Sequence, residues 1–168
     1  MTSLDLGLAL IRVVVGVTMI AHGYNHLWGG GGVAGTTRWF ASLGMRPARL
    51  HAVLSGAGEL AAGGALALGF CTPLAAAFVV GTMAVAGVTA HRRNGFFVFK
   101  DGYEYVLLIA VVCAGLGLAG PGAISADHAI GWTGWLSAGP GVAVSVGGGV
   151  LGAAGLLAAT WRPARNNP

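Results

Sequence analysis

The charged side chains of this chain, nine Lys or Arg and five Asp or Glu among 168 residues, are gathered so that five long stretches carry almost none. These run at about 6–27, 50–68, 73–90, 103–118 and 142–161. Each approaches the roughly 17–25 apolar residues that a helix needs to cross ~30 Å of hydrocarbon. Lipid offers the backbone no hydrogen-bond partners, so such spans have to be helices. The sequence therefore predicts an all-α polytopic membrane bundle, with four core transmembrane helices plus a fifth, C-terminal one. A charged fraction of 8% against the roughly 25% of soluble domains agrees. The length suits a single transmembrane domain over residues 1–168 and leaves no room for a second.

The basic residues then orient the bundle. Loops between five spans alternate sides, and Arg38, Arg46 and Arg49 fall in the first loop, Arg92, Arg93 and Lys100 in the third, and Arg162 and Arg165 after the last span. All eight share one side. The N-terminus, the turn at 69–72 and the loop at 119–141 share the other and contain no Lys or Arg. Short loops rich in Lys and Arg stay in the cytoplasm, which predicts the N-terminus outside and the C-terminus inside. Basic loops beside the spans also account for the net charge of +4 without nucleic acid, which is excluded as a partner. Arg12 lies inside the first apolar stretch rather than before it, so that stretch reads as a retained anchor and not a cleaved signal. Cys71 and Cys113 form no CxxC and read as small side chains rather than a bridge. Pro47, Pro73, Asn94-Gly95 and Pro121-Gly122 mark the span boundaries. Trp28, Trp39, Trp132, Trp135 and Trp161 lie near span ends, as an interfacial belt would. Gly148 and Gly152 make a small-residue ridge on the fifth span, either for packing inside the bundle or for a homo-oligomer.

Ionisable groups inside spans are the informative residues, because a central charge costs roughly 2.5–3.5 kcal/mol on insertion scales. Glu59 stands about nine positions into the second span, some 14 Å deep at ~1.5 Å per residue. Its neighbours Ser55, Gly56 and Gly58 are small, so it is expected to face the interior, as a functional carboxylate or as a hydrogen-bond node. Arg12 either snorkels to the outer headgroups or turns inward to a carboxylate, an anion or a quinone-like ligand. His22 and His26, four apart, project from one face of the first span near its cytoplasmic end. They suit a quinone site or are satisfied by loops and water. Without HExxH or a neighbouring cysteine they assign no metal, and haem is disfavoured. Glu104 sits in the first turn of span four, where it either faces the helix dipole or pairs with Arg92, Arg93 or His22. His51, His91 and His128 read as solvated loop residues. Phe96, Phe97 and Phe99 read as an interfacial patch or a short re-entrant turn. The candidate ligand-binding residues are thus Arg12, His22, His26, Glu59 and Glu104, with no catalytic residue assigned.

At these residues the chain resembles the DoxX family. The resemblance lies in Leu8-x-x-Ile11-Arg12, Ala21-His22-Gly23, Trp39-Phe40-x-x-Leu43-Gly44, Gly58-Glu59-Leu60 and Gly69-x-x-Thr72-Pro73. It continues through Gly95-Phe96-Phe97, Gly102-x-Glu104 and Gly120-Pro121-Gly122-x-x-Ser125-x-Asp127, so that it covers about 6–128 and leaves the fifth span, 142–161, outside. Where family members carry a lysine a few residues after the His-Gly pair, this chain has His26. The resemblance implies a small multi-pass protein of the bacterial cytoplasmic membrane, usually with four core spans. Relatives include a subunit of thiosulfate:quinone oxidoreductase, and another is associated with thiol-redox enzymes at the membrane.

Three functions fit these residues. One is a redox-associated membrane component that binds a quinone or supports thiol and oxidative-stress homeostasis, as a subunit of a quinone-linked oxidoreductase. Another is a non-catalytic scaffold that docks soluble redox enzymes on the basic cytoplasmic face. The last is a small-solute or proton transporter, which ranks lowest because no inverted repeat is evident.

Overall fold

A computed structural model of the chain describes residues 1–132 and 138–163. Trp135 and Arg165 lie outside the described residues. In chain order the elements are α1 (Ser3–Leu27), α2 (Gly32–Ser42), α3 (Ala48–Leu68), α4 (Thr72–Ala86), α5 (Glu104–Ala119), a short α6 (Ala126–Ala129), α7 (Ala138–Val142) and α8 (Gly149–Thr160). A π-helical turn, Gly87–His91, and a 3-10 turn, Arg92–Asn94, extend α4, and a second π-helical segment, Ala143–Gly148, joins α7 to α8. All five apolar stretches are helical, and the fold is an all-α membrane bundle. Ser3–Leu27, Thr72–Asn94 and Ala138–Thr160 are long and apolar enough to cross a membrane. Glu104–Ala119 is apolar but shorter. α3 has the length, 21 residues, while Arg49, His51, Glu59 and its glycines dilute its hydropathy.

The distribution of polarity is that of a protein in oil. Leu10, Val14, Val17, Leu108, Val111 and Leu151 point outward, whereas Arg12, Glu59, Asp127, Thr72 and Ser145 are buried. Apolar exteriors lose nothing in lipid, and polar groups there must find partners in the bundle. Cys71 and Cys113 are both free, the latter buried, as the sequence suggests.

Helices in lipid associate by close packing rather than by expulsion of water, so small residues govern where they meet. α1 and α3 illustrate this most directly. A Cβ on Gly16 would stand 2.5 Å from the carbonyl oxygen of Gly63, and one on Gly23 would stand 2.6 Å from that of Gly56. The two pairs are seven residues apart on both helices, which fixes one antiparallel register. α4 and α8 meet in the same way, with Gly149 against the carbonyl of Ala77 at 2.6 Å.

One end of the bundle is closed by a polar clasp. Asp127, 3% exposed, accepts hydrogen bonds from the backbone N–H of Cys71 (2.7 Å) and of Thr72 (3.0 Å) and from the Thr72 hydroxyl (3.0 Å). A carboxylate from far along the chain thus caps α4, where the helix dipole favours negative charge. Arg12 donates to the carbonyls of Leu66 (3.3 Å) and Ile124, and the Asp127 charge acts on it. Gly69, at φ +67°, leaves the room that the Arg12 guanidinium occupies, and its carbonyl accepts from the Asp127 N–H at 2.9 Å. Asp5 joins by accepting from the Ala123 N–H at 2.9 Å while completing a capping box with Thr2.

The opposite end is tied by backbone bonds between the α2–α3 connection and the end of α8. Arg46 N–H donates to Thr160 (3.0 Å), Arg162 N–H to Gly44 (2.8 Å) and the Trp161 indole to Leu43 (2.8 Å). Arg92 lies over the Trp161 ring at 5.6 Å. The beginning of α1 and the end of α8 therefore lie at opposite ends of the bundle.

Two outcomes test this packing. Gly63→Leu should destabilise the detergent-solubilised protein by about 3 kcal/mol, the upper part of the overpacking range, whereas Gly64→Leu, whose Cβ meets nothing within 4 Å, should cost far less. Denaturant titration in mixed micelles checks this. Asp127→Ala and Arg12→Leu should couple in a double-mutant cycle by at least about 1 kcal/mol. Strict additivity would remove the clasp as a unit.

Candidate functional site

Four helices enclose a cleft of about 740 Å³. α3 and α8 both pack on α4 and stand apart from each other, and α2 closes the end between them. Its walls are largely apolar or small, among them Phe40, Leu54, Gly58, Gly81, Gly152 and Leu156. The ring of Phe78 lies over Gly58, where any side chain on α3 would displace it.

Glu59 reaches this cleft from α3 and His26 from α1. The Glu59 side chain is 3% exposed. Its Oε1 accepts from the Ser55 hydroxyl at 2.7 Å, one helical turn earlier. Its Oε2 is buried with no hydrogen-bond partner among the described residues, and the nearest ionisable atom is His26 Nε2 at 3.6 Å. The His26 ring stacks on Trp39 at 5.9 Å with an interplanar angle of 17° and tilts against Phe40 at 5.8 Å. α2 thus orients the imidazole, and Thr36 holds α2 to α1 by donating to the His26 carbonyl at 2.7 Å. An aromatic floor, a buried carboxyl with a free oxygen and an imidazole converge at one place. Together they can bind and exchange a proton with a polar head whose remainder is apolar.

The other candidates fall elsewhere. Arg12 belongs to the clasp at the far end of the bundle, held by carbonyls and by the Asp127 charge. His22 turns toward α5, with Nε2 3.4 Å from the Tyr105 hydroxyl. Glu104 accepts from the Val98 N–H at 2.9 Å and so holds the loop between α4 and α5. The same loop is fixed by Tyr103 N–H to Gly95 and Glu104 N–H to Phe96, which leaves Phe97 and Phe99 stacked and exposed. Of the five candidates, the fold brings together His26 and Glu59. Their convergence follows from the α1–α3 register, which neither span reveals alone.

His51 departs from its expected solvated position. It is buried on α3, lines the cleft, and has Nε2 3.3 Å from the Arg46 carbonyl. Its signal was faint: two residues after Arg49, at the start of a span, it lies one turn inside the helix. Gly148 and Gly152 line the cleft, and it is Gly149 between them that packs on α4. Ser55 and Trp39, which position the carboxyl and the imidazole, carry no chemical signature in sequence beyond their spacing.

No curated protein and no solved structure matches the chain. A family model described as DoxX matches residues 7–92, which run from within the first turns of α1 into α4's helical extension and bring in both His26 and Glu59. That match covers just over half of the sequence. The chain belongs to the DoxX family.

Proposed function

We propose that this protein is a redox-associated component of the bacterial cytoplasmic membrane that binds a quinone headgroup at Glu59 and His26. The observation that carries the reading is the unpartnered, buried Oε2 of Glu59 facing a mostly apolar cleft beside an imidazole. A buried polar atom without a partner costs stability, commonly 1–3 kcal/mol, and one that borders an open cleft is placed to take the missing bond from a ligand. The cleft volume lies within the 300–1,000 Å³ common for small-molecule sites, and its few polar groups converge at one end. These features suit a flat, hydrogen-bonding head on an apolar body.

Such a ligand supplies proton-coupled electron chemistry when bound. The chain's own residues divide the remaining work. Ser55 orients the Glu59 carboxyl, leaving Oε2 to hold or release a proton at the head. His26 Nε2, 3.6 Å away, is the next station for that proton, and Trp39 keeps its ring in place. The pair is thus a proton-handling site for a quinone-linked oxidoreductase subunit.

A second reading has its own support. Arg38, Arg46, Arg49, Arg92, Arg93 and Arg162 belong to the end of the bundle tied by Trp161, which suits this face for docking acidic soluble redox enzymes. That end is assigned to the cytoplasm by its positive charge. The free α3–α8 cleft favours the quinone reading over a purely docking one, and a transport role draws no comparable support.

Purified protein should carry ubiquinone or menaquinone in its lipid extract, and an added quinone should quench tryptophan fluorescence, with Trp39 as the reporter. Glu59→Gln should weaken that binding roughly tenfold, the equivalent of about one hydrogen bond. Absence of both bound quinone and quenching in the wild type overturns the reading. For orientation, a cysteine placed at Arg93 in a Cys71→Ser, Cys113→Ser background should react with a membrane-impermeant maleimide only after the cells are opened. Labelling of intact cells would reverse the topology.

A further inference from the structure

The cleft is longer than a headgroup. It runs along α4 from Ala90 to Ala77, about 20 Å at 1.5 Å per residue. Its polar side chains are unevenly placed. Thr82 and Thr89 donate their hydroxyls back to Phe78 and Val85 of their own helix, so their donors are already engaged. Glu59, Ser55, His26 and His51 cluster toward α2, and the remaining length toward Ala77 and Gly148 is apolar.

Water and oil meet different parts of it. The aqueous end is covered by Trp39 and Phe40 of α2 and strapped by the Met45–Trp161 bridge. The side between α3 and α8 is rimmed by Leu54, Ala57, Gly152 and Leu156, all exposed and uncharged. On helices with apolar outer faces, that rim opens to hydrocarbon.

Gly149 and Gly152 of α8 and Gly148 just before it have separate tasks. A side chain on Gly149 would strike the Ala77 carbonyl, so Gly149 is required for helix contact. A Cβ on Gly152 meets nothing within 4 Å, and one on Gly148 meets only Ala77 Cβ at 4.0 Å. Their missing side chains are therefore room in the cleft rather than packing. Glu59, 3% exposed with its unpartnered Oε2, supplies the independent sign that a ligand belongs there.

From these observations we infer that the space between α3 and α8 is a slot, open to the bilayer, for the single long apolar tail of a ligand whose polar head ends at Glu59 and His26. Gly148 and Gly152 set the tail that fits. The inference rests on the headgroup reading above and adds to it the ligand class, a single-tailed membrane amphiphile of the isoprenoid-quinone kind, and its path from the lipid. Because α8 lies outside the family-matched residues, tail selection is a property of this chain's own C-terminal span.

The test compares a tailless benzoquinone with the same benzoquinone bearing a decyl tail, titrated against the detergent-purified full chain with tryptophan quenching as readout. Gly152→Leu should weaken the decyl probe roughly tenfold, the loss of about two buried methylenes, and change the tailless probe by less than about twofold. Glu59→Gln should weaken both. Equal effects of Gly152→Leu on the two probes, or none, overturn the slot and leave the head site standing. Failure of the wild type to bind either probe removes both readings. Folding of each variant is checked by gel filtration and melting, and Gly148→Leu carries the same comparison should Gly152→Leu not fold. If neither folds, these glycines are packing positions and the slot is overturned.

Discussion

The backbone-to-backbone contact of α1 and α3 is the constraint on which the rest of the molecule depends. In hydrocarbon two helices gain nothing from hiding apolar side chains, so they are held by dispersion at short range and by weak Cα–H···O contacts. Gly16 against Gly63 and Gly23 against Gly56 allow that approach and admit only one antiparallel register. With that register set, the Arg12 guanidinium reaches the Leu66 carbonyl at one end, and His26 Nε2 comes within 3.6 Å of Glu59 toward the other. The place of Arg12 in the clasp and the meeting of His26 with Glu59 both follow from the same four glycines.

The buried charges divide into two groups by what they touch. Asp127 answers three donors at the start of α4, and Arg12 answers two carbonyls and the Asp127 charge, its Nε remaining buried without a hydrogen bond among the described residues. Arg12, Gly69, Thr72 and Asp127 of the family-like pattern are the residues that build this clasp. Glu59 differs. It has one oxygen held by Ser55 and one buried without a hydrogen bond among the described residues, at the edge of a cavity large enough for a ligand. What separates the two is space: Arg12 does not line the cleft, whereas the free oxygen of Glu59 borders a cavity, and an unsatisfied polar atom in a cavity points to binding.

Much of this was legible in the sequence, and the exceptions are instructive. The five helical stretches follow from the sparing placement of fourteen charged residues, and the starts of α3 and α4 from Pro47 and Pro73. Glu59 stood out as a buried carboxylate among small residues, and it is. Gly148 and Gly152 drew notice as a ridge, yet Gly149 makes the close contact, because a small-residue pattern states that two backbones approach without naming the partner. The seven-residue spacing shared by Gly16, Gly23, Gly56 and Gly63 was present in the sequence. It acquired meaning only when the two helices were paired. His51 read as a surface residue since its arginine neighbours are exposed, but it is buried on α3, lines the cleft and reaches the Arg46 carbonyl.

By itself, then, the sequence determined the solvent of the chain, the helical character of its spans and the gathering of its basic loops at one end of the bundle. These follow from local composition against the one-dimensional requirement that a helix in lipid be apolar and about 30 Å long. The tertiary structure alone decided that, of five candidate residues, His26 and Glu59 share a cleft while Arg12 serves a clasp, His22 faces Tyr105 and Glu104 ties a loop. Depth within a span can be counted along the chain. Which face of one helix meets which face of another depends on how several backbones pack at once, and no single span carries that information.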